Sequence, residues 1–64
     1  MYECKLPTFS KDLRDGIRFQ ILPQDRVIFV KSTSTVVIVE LPIGDIDYKL
    51  SVDKDTFYKN FKKL

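Results

Sequence analysis

Two apolar runs, Val27 to Val30 and Val36 to Val39, constrain this 64-residue chain more than anything else in it. Both are β-branched or aromatic throughout, so both read as strands. Only the polar stretch Lys31-Ser32-Thr33-Ser34-Thr35 separates them, and the second run, extending to Leu41, is expected to return antiparallel to the first. Neither run has a polar side. In an antiparallel sheet that means cover on both faces, and a chain this short has little material to provide it. The fold must therefore curl the sheet on itself, lay a helix across it, or bury one face against another chain.

The flanking segments supply more strands. Tyr2, Cys4 and Leu6 alternate with Glu3 and Lys5, which predicts a short strand ended by Pro7 and placed at a sheet edge. The alternation breaks from Thr8 to Gly16. Ser10 is suited to cap a single helical turn through Leu13, and Gly16 to end it, so this stretch reads as a loop or brief helix. Ile17, Phe19 and Ile21 then alternate with Arg18 and Gln20, pointing the apolar three inward. Leu22-Pro23-Gln24-Asp25 has proline where a type I turn wants its fixed φ, and the strand Arg26 to Lys31 follows as a hairpin. Leu41-Pro42-Ile43-Gly44 repeats that turn chemistry before a last strand in which Ile46, Tyr48 and Leu50 face inward.

After Leu50 the period changes. Phe57, Phe61 and Leu64 fall on one helical stripe, with Ser51 or Asp53 available as cap, Asp55 at the positive end of the dipole and Lys62 and Lys63 at the negative end. The expected fold is α+β, mainly β: about five short antiparallel strands in a meander, with one C-terminal amphipathic helix packed on it. The sheet is either open and curved or closed as a small SH3-like barrel. No repeat, low-complexity tract or linker divides residues 1–64, which read as one domain.

Composition narrows the function classes. Cys4 is the one cysteine and there is no histidine, so neither an intramolecular disulfide nor a zinc site with its usual ligands is expected. A lone thiol suits a reducing compartment, and no apolar run approaches the roughly 20 residues of a membrane-spanning helix. The expectation is a cytoplasmic, soluble protein without cofactor, metal or membrane partner. The net charge of +2 is too small to argue for nucleic acid by itself.

No catalytic set assembles from the residues. Asp12 with Asp15, Asp45 with Asp47, and Asp53 with Asp55 read as solvated or capping carboxylates, since a calcium loop needs more oxygen ligands and a glycine at fixed spacing. Cys4 has no base and lies on the inward phase of its strand. The hydroxyls at 32–35 lack a glycine-rich cradle and read as hairpin tip. The chain is expected not to be an enzyme. On the helix, Lys59, Lys62 and Lys63 share the side opposite the phenylalanines; with Arg18 and Arg26 they are the candidate nucleic-acid contacts. The candidate protein-interaction surface comprises Val27, Phe29, Val37 and Val39 of the central strands together with Tyr58 at the rim of the helical stripe.

The stretch Tyr48-Lys-Leu-Ser-Val-Asp-Lys-Asp-Thr-Phe-Tyr-Lys-Asn-Phe61, a strand entering a capped helix with phenylalanines four apart, resembles the ending of many small phage or prophage accessory proteins. It covers about a fifth of the chain. The resemblance implies a protein that acts by binding, and so inhibiting or redirecting, a host protein. The residues and the resemblance together favour a small non-enzymatic interaction module whose partner is another protein or a second copy of itself. A small nucleic-acid-binding barrel is the alternative.

Overall fold

In the computed structural model, which describes residues 1–64, the chain forms β1 (Tyr2–Cys4), β2 (Thr8–Asp12), β3 (Arg18–Ile21), β4 (Arg26–Ser32), β5 (Val36–Ile43), β6 (Ile46–Asp53), α1 (Lys54–Asn60) and β7 (Phe61–Lys63). The seven strands make one sheet in the order β3-β2-β6-β5-β4-β1-β7, with every neighbouring pair antiparallel. It curls into an open half-barrel. The concave side holds the core: Cys4, Ile21, Val27, Val37, Val39, Leu41, Leu50, Val52, Phe57 and Phe61, with Tyr2, Phe19 and Tyr48 half-buried against it. The mainly β fold with one short helix is the expected one, and the strand count is higher.

The β4–β5–β6 meander is the centre of the sheet. Between β4 and β5 the register shifts from Phe29↔Val39 to Lys31↔Ile38, so Val30 is a bulged extra residue. The apolar run of β4 is not buried on both faces: Ile28 shares the convex face with Glu40, its register partner. Val27 is buried, whereas Ile28, Phe29 and Val30 are exposed. In β5, flanked on both sides by partners, Val37, Ile38 and Val39 are all buried. The β5–β6 hairpin turns at Gly44-Asp45 instead of at Pro42, with Ile43 opposite Ile46. Gly44 takes φ +60°, the left-handed value that a two-residue hairpin turn asks of its first position. Pro42 stays in β5 beyond the last β4 pairing, where its missing N–H leaves no ladder bond unmade. At Pro23 the expected type I turn is corrected too: Gln24 has φ +77°, the positive value of a type II turn's third residue. The hairpin expected across that turn is overturned with it, since β3 pairs with β2 alone and β4 with β5 and β1.

Three further expectations are overturned. Thr8–Asp12 is a strand, paired with β3 through Phe9↔Gln20 and Lys11↔Arg18 and with β6 through Lys11↔Ser51. Its inward residues are polar, which hid the alternation, and each is satisfied close by. The Thr8 hydroxyl donates to the Leu6 carbonyl (2.7 Å) and accepts from Asn60 Nδ2 (3.0 Å). Ser10 donates to the Phe19 carbonyl (2.6 Å), and Asp12 accepts from the Arg14 backbone N–H (2.8 Å). No buried side-chain nitrogen or oxygen is left without a partner.

The helix is the second correction: it stops at Asn60. Asp53 caps its start, accepting from the Thr56 backbone N–H and hydroxyl (3.1 Å each). Phe61 then turns extended, with φ −116° and ψ 146°, and β7 pairs with β1 through Cys4↔Phe61 and Tyr2↔Lys63. Phe61 stays in the core, but Leu64 is exposed and leaves the expected stripe. The third correction follows: β1 is not an edge strand, because it lies between β4 and β7. Helix α1 packs against β5, β6, β2 and β7 and so spans the gap between the two arms of the curl. Phe57 is its main anchor, fully buried, stacked on Phe61 (ring centroids 4.7 Å apart) and tilted against Tyr2 (4.9 Å).

Candidate functional site

The candidate protein-interaction residues divide. Val27, Val37 and Val39 are fully buried and belong to the core, so in this fold they offer no surface. The curl of the sheet, which the sequence left open, is the reason. Phe29 is 37% exposed at the margin of the concave side, with its ring 6.0 Å from Tyr2 and 6.4 Å from Phe57. Tyr58 is half-exposed, edge-on to Phe57 at 5.2 Å, and seals the rim of the helix.

The candidate nucleic-acid residues are scattered. Lys62 and Lys63 lie on β7 and only Lys59 on α1, so the three do not form one helical face. Arg26 and Lys62 flank Glu3 in the cross-strand register, and Arg26 Nε lies 3.8 Å from its carboxylate. Lys5 Nζ lies 2.7 Å from the same group, and its hydrogen bond holds the Glu3 carboxyl below the ordinary value of 4.5. Arg18 lies on β3, at the opposite end of the strand order from β7.

A different concave feature is present. At the end of the half-barrel away from the helix, the β2–β3 connection and β6 enclose a groove of about 360 Å³ lined by Asp12, Arg14, Asp15, Ile17, Phe19 and Tyr48, with Arg18 at its border. The β2–β3 turn holds itself in shape by local hydrogen bonds: the Ile17 N–H donates to the Asp15 carboxylate (2.9 Å), and the Gly16 N–H donates to the Asp12 backbone carbonyl (2.8 Å). The Phe19 and Tyr48 rings lie 5.4 Å apart, and the Arg14 guanidinium sits 5.4 Å over the Tyr48 ring with Asp12 Oδ1 3.6 Å from its Nε. Ile17 is 64% exposed. Ile43 and Ile46, about half exposed, carry the same apolar phase beyond Tyr48. Inward alternation of Ile17, Phe19, Ile46 and Tyr48 was legible in the sequence. Their accessibility was not, because it depends on where the helix lies.

No three His, Cys, Asp or Glu side chains gather as a metal site would need. The Cys4 thiol is buried and donates to the Leu6 carbonyl (2.9 Å), and burial pushes its pKa above the ordinary 9.0. No helix is long and apolar enough to cross a membrane. Set beside known proteins, the chain matches no family model, no curated protein and no solved structure.

Proposed function

We propose that this chain is a small non-enzymatic protein-interaction module that takes an extended segment of a partner protein in the groove between the β2–β3 turn and β6. The observation that carries this is the half-buried Phe19–Tyr48 aromatic floor, continued by exposed Ile17, Ile43 and Ile46. Apolar area of this kind, rimmed by charged groups, gains by being covered. Arg18, Asp15 and the paired Arg14 and Asp12 supply the polar fixing points that a mostly apolar recognition site uses for orientation. The groove is bordered by β3, an edge strand, so an incoming extended segment has free backbone groups to pair with.

The strand order supports an SH3-like barrel as the architecture: a central three-strand meander, a preceding hairpin, and a first strand that pairs with the last after a short helix. A buried, unpaired thiol favours a reducing compartment such as the cytoplasm. The resemblance of Tyr48–Phe61 to small phage accessory proteins is in keeping with a role as inhibitor or modulator of a host protein.

Selection of a random peptide library against the purified chain tests the proposal. Extended apolar or aromatic segments should be enriched, and their binding should be lost in Ile17→Asp and Tyr48→Ala, both of which keep the fold. A library that yields nothing, or peptides indifferent to both substitutions, would refute it. A wild-type monomer–dimer equilibrium abolished by Ile46→Asp would instead make the partner a second copy of the chain.

A further inference from the structure

We propose a second site, which shares only Arg18 with the groove: the convex face of the sheet binds single-stranded nucleic acid along one row of residues that crosses five strands. The row is fixed by the cross-strand register. Lys31 on β4 pairs with Ile38 on β5, Ile38 with Ser51 on β6, Ser51 with Lys11 on β2, and Lys11 with Arg18 on β3. Directly paired residues project from the same face of a sheet, and Lys11, Arg18 and Lys31 are exposed. At about 4.8 Å per strand the row runs roughly 19 Å along the sheet. The ion pairs of the chain, Lys5 and Arg26 with Glu3 and Arg14 with Asp12, involve none of these cations. Of the acids on this face, Glu40 lies opposite Lys49 in the register, and the Asp53 carboxylate caps the helix. The centre of the row is uncharged, with Ile38 buried and Ser51 half-buried between the cations.

Charge alone would serve any polyanion, and one aromatic narrows the choice. Phe9 precedes Lys11 on the same face, is 58% exposed, and carries the Arg18 guanidinium 4.8 Å over its ring. Aromatic rings and guanidinium planes on a sheet surface are what unpaired bases stack on, with little regard to sequence. A duplex hides its base faces, and a polyanion without rings, such as polyglutamate, has nothing to stack. The ligand that uses both the row and the ring is a single strand, its phosphates tracking the cations and a base against Phe9 and Arg18.

Fluorescence anisotropy of labelled oligothymidylate with the full chain tests this. Binding is expected at low salt, and three phosphate contacts give a slope of log K against log salt near −2. Lys11→Gln and Lys31→Gln should each make the slope shallower by about 0.7. Phe9→Ala should weaken binding roughly 5- to 100-fold at every salt concentration, the effect of one lost base stack. Lys59→Gln and Lys63→Gln, which lie off the row, should leave it unchanged. The proposal is overturned by no binding at low salt. It is equally overturned if Lys11→Gln and Lys31→Gln bind as the wild type does, or if duplex DNA, polyglutamate or anionic vesicles compete as well as the unlabelled single strand.

Discussion

Phe57→Ala is the perturbation with the largest consequence that the structure allows to be sized. Phe57 is fully buried, at the junction of Tyr2, Phe29, Tyr58 and Phe61, so its ring closes the helix onto both arms of the curled sheet. Truncating a buried phenylalanine costs about 3 to 5 kcal/mol, the lost transfer energy plus the cavity left behind. A domain of this length has a total stability of roughly 3 to 10 kcal/mol. The variant therefore loses a third of its stability or all of it. In urea, with an m-value near 1 kcal/mol/M for a small domain, the midpoint should fall by about 3 M or the transition should vanish. Far-UV circular dichroism follows it, and Phe57→Leu, expected to cost no more than about 1 to 2 kcal/mol, keeps the transition measurable if the alanine variant does not fold. A midpoint displaced by less than about 0.5 M at unchanged m would refute the placement of Phe57 in the core. The companion is Leu64→Ala. With the side chain exposed beyond β7, it should change stability by less than about 0.5 kcal/mol, whereas a helix continuing through Leu64 would make it a core truncation.

Thr8→Val keeps the shape of the side chain but removes the acceptor of the Asn60 amide in a buried seam, and should cost about 1 to 3 kcal/mol by denaturation, while an unchanged midpoint would place water at that amide. Gln24→Gly relieves a left-handed backbone that glutamine adopts at a cost; after the entropy glycine brings to the unfolded chain, a net gain of up to about 1 kcal/mol should raise the melting temperature by a few degrees, and a fall would contradict the positive φ. The Glu3 carboxyl is held below its ordinary 4.5 by Lys5 first and by Arg26 and Lys62. Its contribution is therefore present above pH 4.5 and disappears as pH falls through the lowered value, so the melting-temperature gap between wild type and Glu3→Gln should be seen at neutral pH and close in acid.

What the sequence disclosed and what it hid follow from one physical difference. Strands whose inward positions are apolar announced themselves: Val27 and Val37 to Val39, and Ile21 and Leu50 at the ends of their alternating runs, are buried as their phase required. Strand β2 has Thr8, Ser10 and Asp12 at those positions, and a hydroxyl bonded to a neighbouring carbonyl is as well buried as a methyl group, yet it leaves no periodic signal. The missed strand holds Phe9 and Lys11, so the convex row was hidden with it. The end of the helix was hidden for another reason. Phe61 satisfies a helical spacing and a strand pairing equally, and only the edge of β1, a partner almost the whole chain away, decides between them. The groove was half legible: the phase of Ile17, Phe19 and Tyr48 was correct, and their accessibility depended on where the helix lies.

The pairing of β1 with β7 sets an order on events as the chain is made. The hairpins β2–β3, β4–β5 and β5–β6 close over short stretches and can form as soon as their residues are free, whereas Tyr2–Cys4 has its partners in β4 and β7 and must wait for Phe61–Lys63. The backbone bond from the Leu64 N–H to the Met1 carbonyl (3.0 Å) extends the same seam. Contacts of such separation in sequence slow folding towards the millisecond-to-second range of non-local β proteins. Until they form, the inward side of Cys4 and Tyr2 is open to the medium, and the first strand of the fold is the last to be locked in place.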